Sequence, residues 1–161
     1  MHTINELKQA MPQSGRVDWI GVRPKPREIM LPVNEVLANE DIGLEGDHYS
    51  GKPGSKRQVT LILKEHLDTV GSIMRLDSLD PILTRRNLVI SGINLMALKL
   101  GKFIVGEVIL EGTGNCAPCS RMEENLGPGG WNAMRGHGGI TARVVRGGLI
   151  TIGDEVKLFS E

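Results

Sequence analysis

The residue types best suited to chemistry are the two cysteines of Gly114-Asn115-Cys116-Ala117-Pro118-Cys119, spaced C-x-x-C in a turn containing glycine and proline. A structural zinc site would need a second pair of ligands. The chain has no other cysteine, and His2, His48, His66 and His137 lack the paired spacing of a zinc motif. A thioredoxin-like redox pair would open a long helix after a strand, whereas hairpin-like patterns flank this one. Isolated free cysteines are most often small buried hydrophobes. Here Asn115, Pro118, Ser120 and Arg121 make the surroundings polar and turn-forming, which suits a loop or a helix start. The remaining reading is a thiolate that binds a soft transition metal carried by a cofactor. The pair alone does not choose among these.

Three other segments bear on the choice. Gly43-Leu44-Glu45-Gly46-Asp47 sets two glycines around carboxylates. Thr84-Arg85-Arg86-Asn87-Leu88-Val89-Ile90 puts two guanidinium groups and an amide ahead of an apolar strand. Such a cluster suits a phosphate or a pterin edge, because Arg forks bind these groups bidentately; a solvated surface pair is the common alternative. Arg23, in Arg23-Pro24-Lys25-Pro26-Arg27, is a second phosphate candidate or an ordinary loop residue.

The elements that must position these groups are short. Glycine is frequent, at 21 of 161 residues, and aromatics are only 3%, so many tight turns should join short strands. Strands are expected over Arg16–Val22, near Glu28–Val33, and over Arg57–Leu63, Leu88–Ile90, Lys102–Leu110, Ile140–Val145, Leu149–Thr151 and Glu155–Phe159. A polar loop should separate the second and third of these, and Gly147-Gly148 should form a tight hairpin turn. Thr3 to Glu6 has capping-box spacing before a short helix that Gly15 can end. Further helices are expected over Lys64–Met74 and Ser120–Leu126. One mainly β domain over residues 1–161, a barrel or closed sheet with a few short helices, is the expected architecture.

Composition removes several function classes. Lys plus Arg equals Asp plus Glu at 19 each, so no bulk field draws the chain to nucleic acid or to an anionic membrane. No apolar run nears the roughly 18 residues that span a bilayer. The N-terminal residues lack a secretory layout, and a cytoplasmic, reducing location follows as the expectation.

In their order and spacing these segments resemble the MOSC family, the domain named after the C-terminus of molybdenum cofactor sulfurases. The matching elements are the Gly43-to-Asp47 turn, Arg85-Arg86-Asn87 before a strand, Pro118-Cys119, and the ending Gly139-Ile140 to Val144, Gly147-Gly148-Leu149-Ile150 and Gly153-Asp154-Glu155-Val156. The motif-bearing part is about 16–159.

The resemblance implies a closed, mixed but mainly β barrel that binds the molybdopterin form of the molybdenum cofactor. It implies Cys119 as molybdenum ligand and catalytic residue, with Cys116 an extra thiol. It implies Arg85 and Asn87 as cofactor-binding residues, joined by Arg23. Arg86 should point the other way, because neighbours on an extended segment alternate faces.

Two departures stand out: His48 replaces a frequent Arg, and the N-terminal domain of the larger amidoxime-reducing relatives has no counterpart. A second copy of the chain, in a homodimer, could supply that part of the pocket. The expected function is a reductase of N-hydroxylated small-molecule substrates, with electrons from a separate donor protein. A sulfur carrier holding a cysteine persulfide and a non-enzymatic cofactor carrier are the alternatives.

Overall fold

Residues 1–48 and 53–160 are described by the computed structural model. The strands are β1 (Gly15–Val22), β2 (Leu31–Val33), β3 (Glu35–Asn39), β4 (Gly43–Leu44), β5 (Val59–Leu63), β6 (Leu88–Ser91), β7 (Lys102–Val105), β8 (Val108–Asn115), β9 (Ile140–Arg146), β10 (Gly148–Thr151) and β11 (Glu155–Leu158). The helices are α1 (Ile4–Gln9), α2 (Lys64–Ile73), α3 (Arg121–Leu126) and α4 (Gly130–Met134). Seven strands close into a ring in the order β1-β11-β7-β8-β9-β5-β6, with β6 returning to β1. Closure leaves no free edge within the ring. Every pairing in it is antiparallel except β5 with β6, so the barrel is mixed and mainly β, as expected.

The parallel pair organises the core. Parallel strands are covered on both faces and read as continuous apolar runs, and all five residues of β5 are buried. Val59, Leu61, Leu63, Leu88 and Ile90 point into the barrel. The alternate residues Ile62 and Val89 face outward, under Leu67 and Val70 of α2, Met122 of α3 and Met134 of α4. Each fully buried side chain of this size contributes about 1.5–3 kcal/mol. Helices α2, α3 and α4 therefore sit on the outside of the parallel pair, next to the chain entering β6.

Several expectations need correction. The helix α1 carries the predicted capping box, with Glu6 N donating to Thr3 Oγ1 at 3.1 Å and Thr3 N to Glu6 Oε2 at 2.7 Å. It stops at Ala10, however, and Gly15 opens β1. Lys102–Leu110 is not one strand. Gly106, at φ +61°, and Glu107 form a two-residue turn between the paired Val105 and Val108. The polar loop after β2 contains β3, whose Val36 and Ala38 are buried while Glu35 and Leu37 face out.

Gly147-Gly148 makes no β9–β10 hairpin. Strand β10 pairs with β3 in a separate three-stranded sheet with β4. A Cβ at Gly147 would lie 2.5 Å from the Ala38 carbonyl oxygen, so the glycine lets the chain cross against β3.

Candidate functional site

The cysteine segment leaves the end of β8. Its ladder with β9 reaches the Asn115–Ile140 pair and is extended by Cys116 N donating to Gly139 O at 2.9 Å. This approach requires glycine opposite. A Cβ on Gly138 would sit 2.2 Å from the Cys116 carbonyl oxygen; one on Gly139, at φ +85°, would sit 1.8 Å from the Leu61 carbonyl oxygen. Pro118 then turns the chain outward, and its carbonyl accepts from Trp131 Nε1 at 3.2 Å. The outcome separates the two thiols. Cys116 is buried and Cys119 exposed.

Each sulfur faces a guanidinium group. Arg85 Nη1 lies 3.5 Å from Cys119 Sγ, and Arg57 Nη2 lies 3.7 Å from Cys116 Sγ. Arg85 reaches its place through a left-handed backbone, φ 60° and ψ 26°, at the end of the 3-10 turn Pro81–Thr84. That conformation is strained for a long side chain. It also breaks the alternation expected of an extended segment, so Arg86 does not point away.

Arg86 is 3% exposed and lies beneath the cysteine loop. Its Nε donates to Gly138 O at 2.8 Å, its Nη1 to Thr84 O at 3.0 Å, and its Nη2 to Cys116 O at 3.3 Å and Ala117 O at 3.4 Å. Burial pulls this guanidinium below its ordinary value, with the nearby Cys116 acting in the opposite sense.

Asn87 is also placed differently from a simple ligand contact. Its Oδ1 accepts from Thr60 N and Thr60 Oγ1, each at 3.1 Å, and its Nδ2 donates to Gly21 O at 3.1 Å. The amide thereby ties β1, β5 and the start of β6 together, although the residue still borders the site.

These groups surround a cleft of about 290 Å³ that Arg23, Arg57, Arg85, Arg86 and Cys119 line, with Asp47 its one carboxylate among the described residues. Arg23 follows β1 and is braced by the segment after β4. Its backbone N donates to Asp47 Oδ1 at 2.8 Å, and its Nε lies 3.4 Å from His48 Nδ1. His48 thus buttresses Arg23. Arg23 Nη1 is buried and has no hydrogen-bond partner among the described residues. An orphaned cationic donor in a cleft of guanidinium groups fits an anionic ligand, since a buried unpaired donor costs about 1–3 kcal/mol.

Sequence reasoning brought Arg23, Arg85, Asn87 and Cys119 forward as site residues, and all four border this cleft. It missed Arg57. The signal was a charged residue just ahead of an apolar strand, the same feature that singled out Arg85. Only the parallel register, Leu61 opposite Leu88, sets the two strand entrances side by side. Among the described residues, no group of three or more His, Cys, Asp or Glu side chains converges, so a bare metal ion would meet isolated donors. No helix among them is long and apolar enough to cross a membrane.

A closed mixed barrel with a cationic cleft beside a Pro-Cys turn defines a class of domain. The chain belongs to the MOSC domain family, whose model matches residues 47–157. That family is associated with molybdenum cofactor binding. The fold is similar to the YuaD protein of Bacillus subtilis, at a TM-score of 0.77 and 18% identity, over 91% of this chain and 96% of that one. YiiM from Geobacillus stearothermophilus is similar at a TM-score of 0.72 and 18% identity, over 91% of this chain and 75% of that one. YiiM from Escherichia coli gives 0.68 and 20%, over 91% and 70%. No curated protein matches the chain.

Proposed function

We propose that this protein binds the molybdenum cofactor in the cationic cleft and reduces N-hydroxylated small molecules, using electrons from a separate donor protein. The observation that carries the reading is an exposed thiol, Cys119, at the rim of a cleft with four guanidinium groups, one of which has a buried, unpartnered donor. Thiolate is a soft donor suited to molybdenum, and Arg85 gives it a cationic neighbour at 3.5 Å. Arg23 and Arg57 would hold the cofactor's phosphate, which planar guanidinium forks bind bidentately. Arg86 holds the cysteine loop, and Asn87 holds the strand entrance that presents Arg85. When bound, the cofactor would supply the two-electron step in which R–NHOH, two electrons and two protons give R–NH₂ and water. The two free cysteines suit a reducing, cytoplasmic setting.

The test is metal and pterin analysis of protein expressed in a host that makes the cofactor. Wild-type protein should carry molybdenum, Cys119→Ser should lose it, and Cys116→Ser should keep most of it. Loaded protein given an artificial low-potential donor should reduce a hydroxylamine or an amidoxime faster than Cys119→Ser does. Full molybdenum retention in both cysteine variants would refute the ligand assignment. Loaded protein no faster than Cys119→Ser would refute the reductase. The second thiol three positions from Cys119 favours a sulfur carrier as the alternative, and a persulfide found by mass spectrometry would put that reading first.

A further inference from the structure

The cysteine loop has a second side. Behind it lies a cavity of about 470 Å³, bordered by Cys116, Pro118, Trp131, Met96, Lys99 and Arg135. It is separate from the cationic cleft: among the described residues Ala117 alone borders both, Cys119 belonging to the cleft and Cys116 to the cavity. We infer that this cavity is a second binding site, for a planar aromatic molecule carrying a carboxylate.

The flat body follows from Trp131. Its indole makes two contacts, Nε1 donating to Pro118 O at 3.2 Å and the Arg135 guanidinium 5.3 Å from the ring centroid, and its backbone N donates to Glu123 Oε1 at 3.1 Å. Glu123 also accepts from Gly129 N at 3.0 Å, which fixes the turn that carries Trp131. The residue nevertheless remains 39% exposed. An aromatic side chain fixed in place and left open is a stacking surface whose ordering cost has already been met. Met96, Cys116, Ala117, Pro118 and three glycines make up most of the remaining wall, with Asn115, Lys99 and Arg135 as its polar groups, as in small-molecule sites, which occupy about 300–1,000 Å³.

The carboxylate follows from charge. Among the described residues, Lys99 and Arg135 are the only charged ones bordering the cavity, and both are cationic. Neither is paired with a carboxylate among the described residues. An anion would find two unneutralised partners there, whereas a cation would be repelled.

The test is an amide chemical-shift titration of ¹⁵N-labelled protein with 2-naphthoate. 2-Naphthylmethylamine and cyclohexanecarboxylate serve as the cationic and non-aromatic comparisons. Naphthoate should give saturable shifts at the Trp131 indole N–H and at the Gly136, Gly138 and Gly139 amides. Both comparison compounds should bind at least about tenfold more weakly. Arg135→Gln and Lys99→Gln are substitutions of charged residues on the cavity border, and a dispersed spectrum shows that each variant has folded. Each should weaken naphthoate several-fold, while Arg85→Ala should leave its affinity unchanged. Shifts centred on Arg23 and Arg85, equal binding of the amine, or no saturation up to the solubility of naphthoate would each overturn the assignment.

Discussion

Arg86 Nε donates to the Gly138 carbonyl oxygen at 2.8 Å, joining residues 52 positions apart and fixing the cysteine loop from beneath. The same guanidinium serves the Thr84, Cys116 and Ala117 carbonyls. Arg86→Met would leave these acceptors without a donor and should cost about 3 kcal/mol. For a chain of this length that is a fall of roughly 6–12 °C in Tm. Arg86→Lys keeps the charge but loses the planar fork, and should recover less than half of the loss. A Tm within a degree of wild type for Arg86→Met would mean that the loop does not depend on this residue.

Arg85 presents the opposite case. Its left-handed backbone, at φ 60°, is one that glycine adopts without penalty. Arg85→Gly should therefore match or exceed wild-type stability, by up to about 1 kcal/mol. It should at the same time remove the cationic neighbour of Cys119 and weaken cofactor retention. Thermal melts and molybdenum content, measured on one preparation, separate the two effects. A clear loss of stability would show that the Arg85 side chain is structural.

The two thiols should differ in reactivity. Cys116 is 1% exposed and Cys119 is open to solvent. An aromatic disulfide reagent should titrate one thiol rapidly in the native protein and the second only on unfolding. Cys119→Ser should abolish the fast phase, and Cys116→Ser should preserve it. Two equally fast thiols would contradict the burial of Cys116.

His66 predicts a pH dependence of stability. Its Nδ1 is buried without a hydrogen-bond partner among the described residues, and its ring centroid is 5.1 Å from that of His137. Burial, then His137, hold it below its ordinary value of 6.5, against a smaller opposing effect of Glu65. The unfolded chain therefore takes up the proton more readily, and stability present above 6.5 is lost as pH falls below it. Tm should decline between about pH 7 and about pH 5, and His66→Gln should flatten that part of the profile. An identical decline in the variant would assign the effect to other groups.

Motif order, glycine-rich turns and short apolar runs were enough to read a closed, mainly β barrel and a Pro-Cys turn, because turn chemistry and strand patterning are local. Arg23, Arg85, Asn87 and Cys119 drew notice through short segments that depart from a plain strand or loop and through the family resemblance, and all four border the cleft. What those side chains touch was not legible. Arg57 reaches the site because β5 and β6 run parallel, and no pattern within either strand records its partner. Arg86 turns under the cysteine loop because Arg85 is left-handed, and alternation holds only in extended backbone. The exposure of Cys119 and burial of Cys116 depend on Gly138 and Gly139 admitting the chain against β9. Neighbours in space are set by register and by close backbone approach between distant segments, so those contacts belong to the tertiary structure alone.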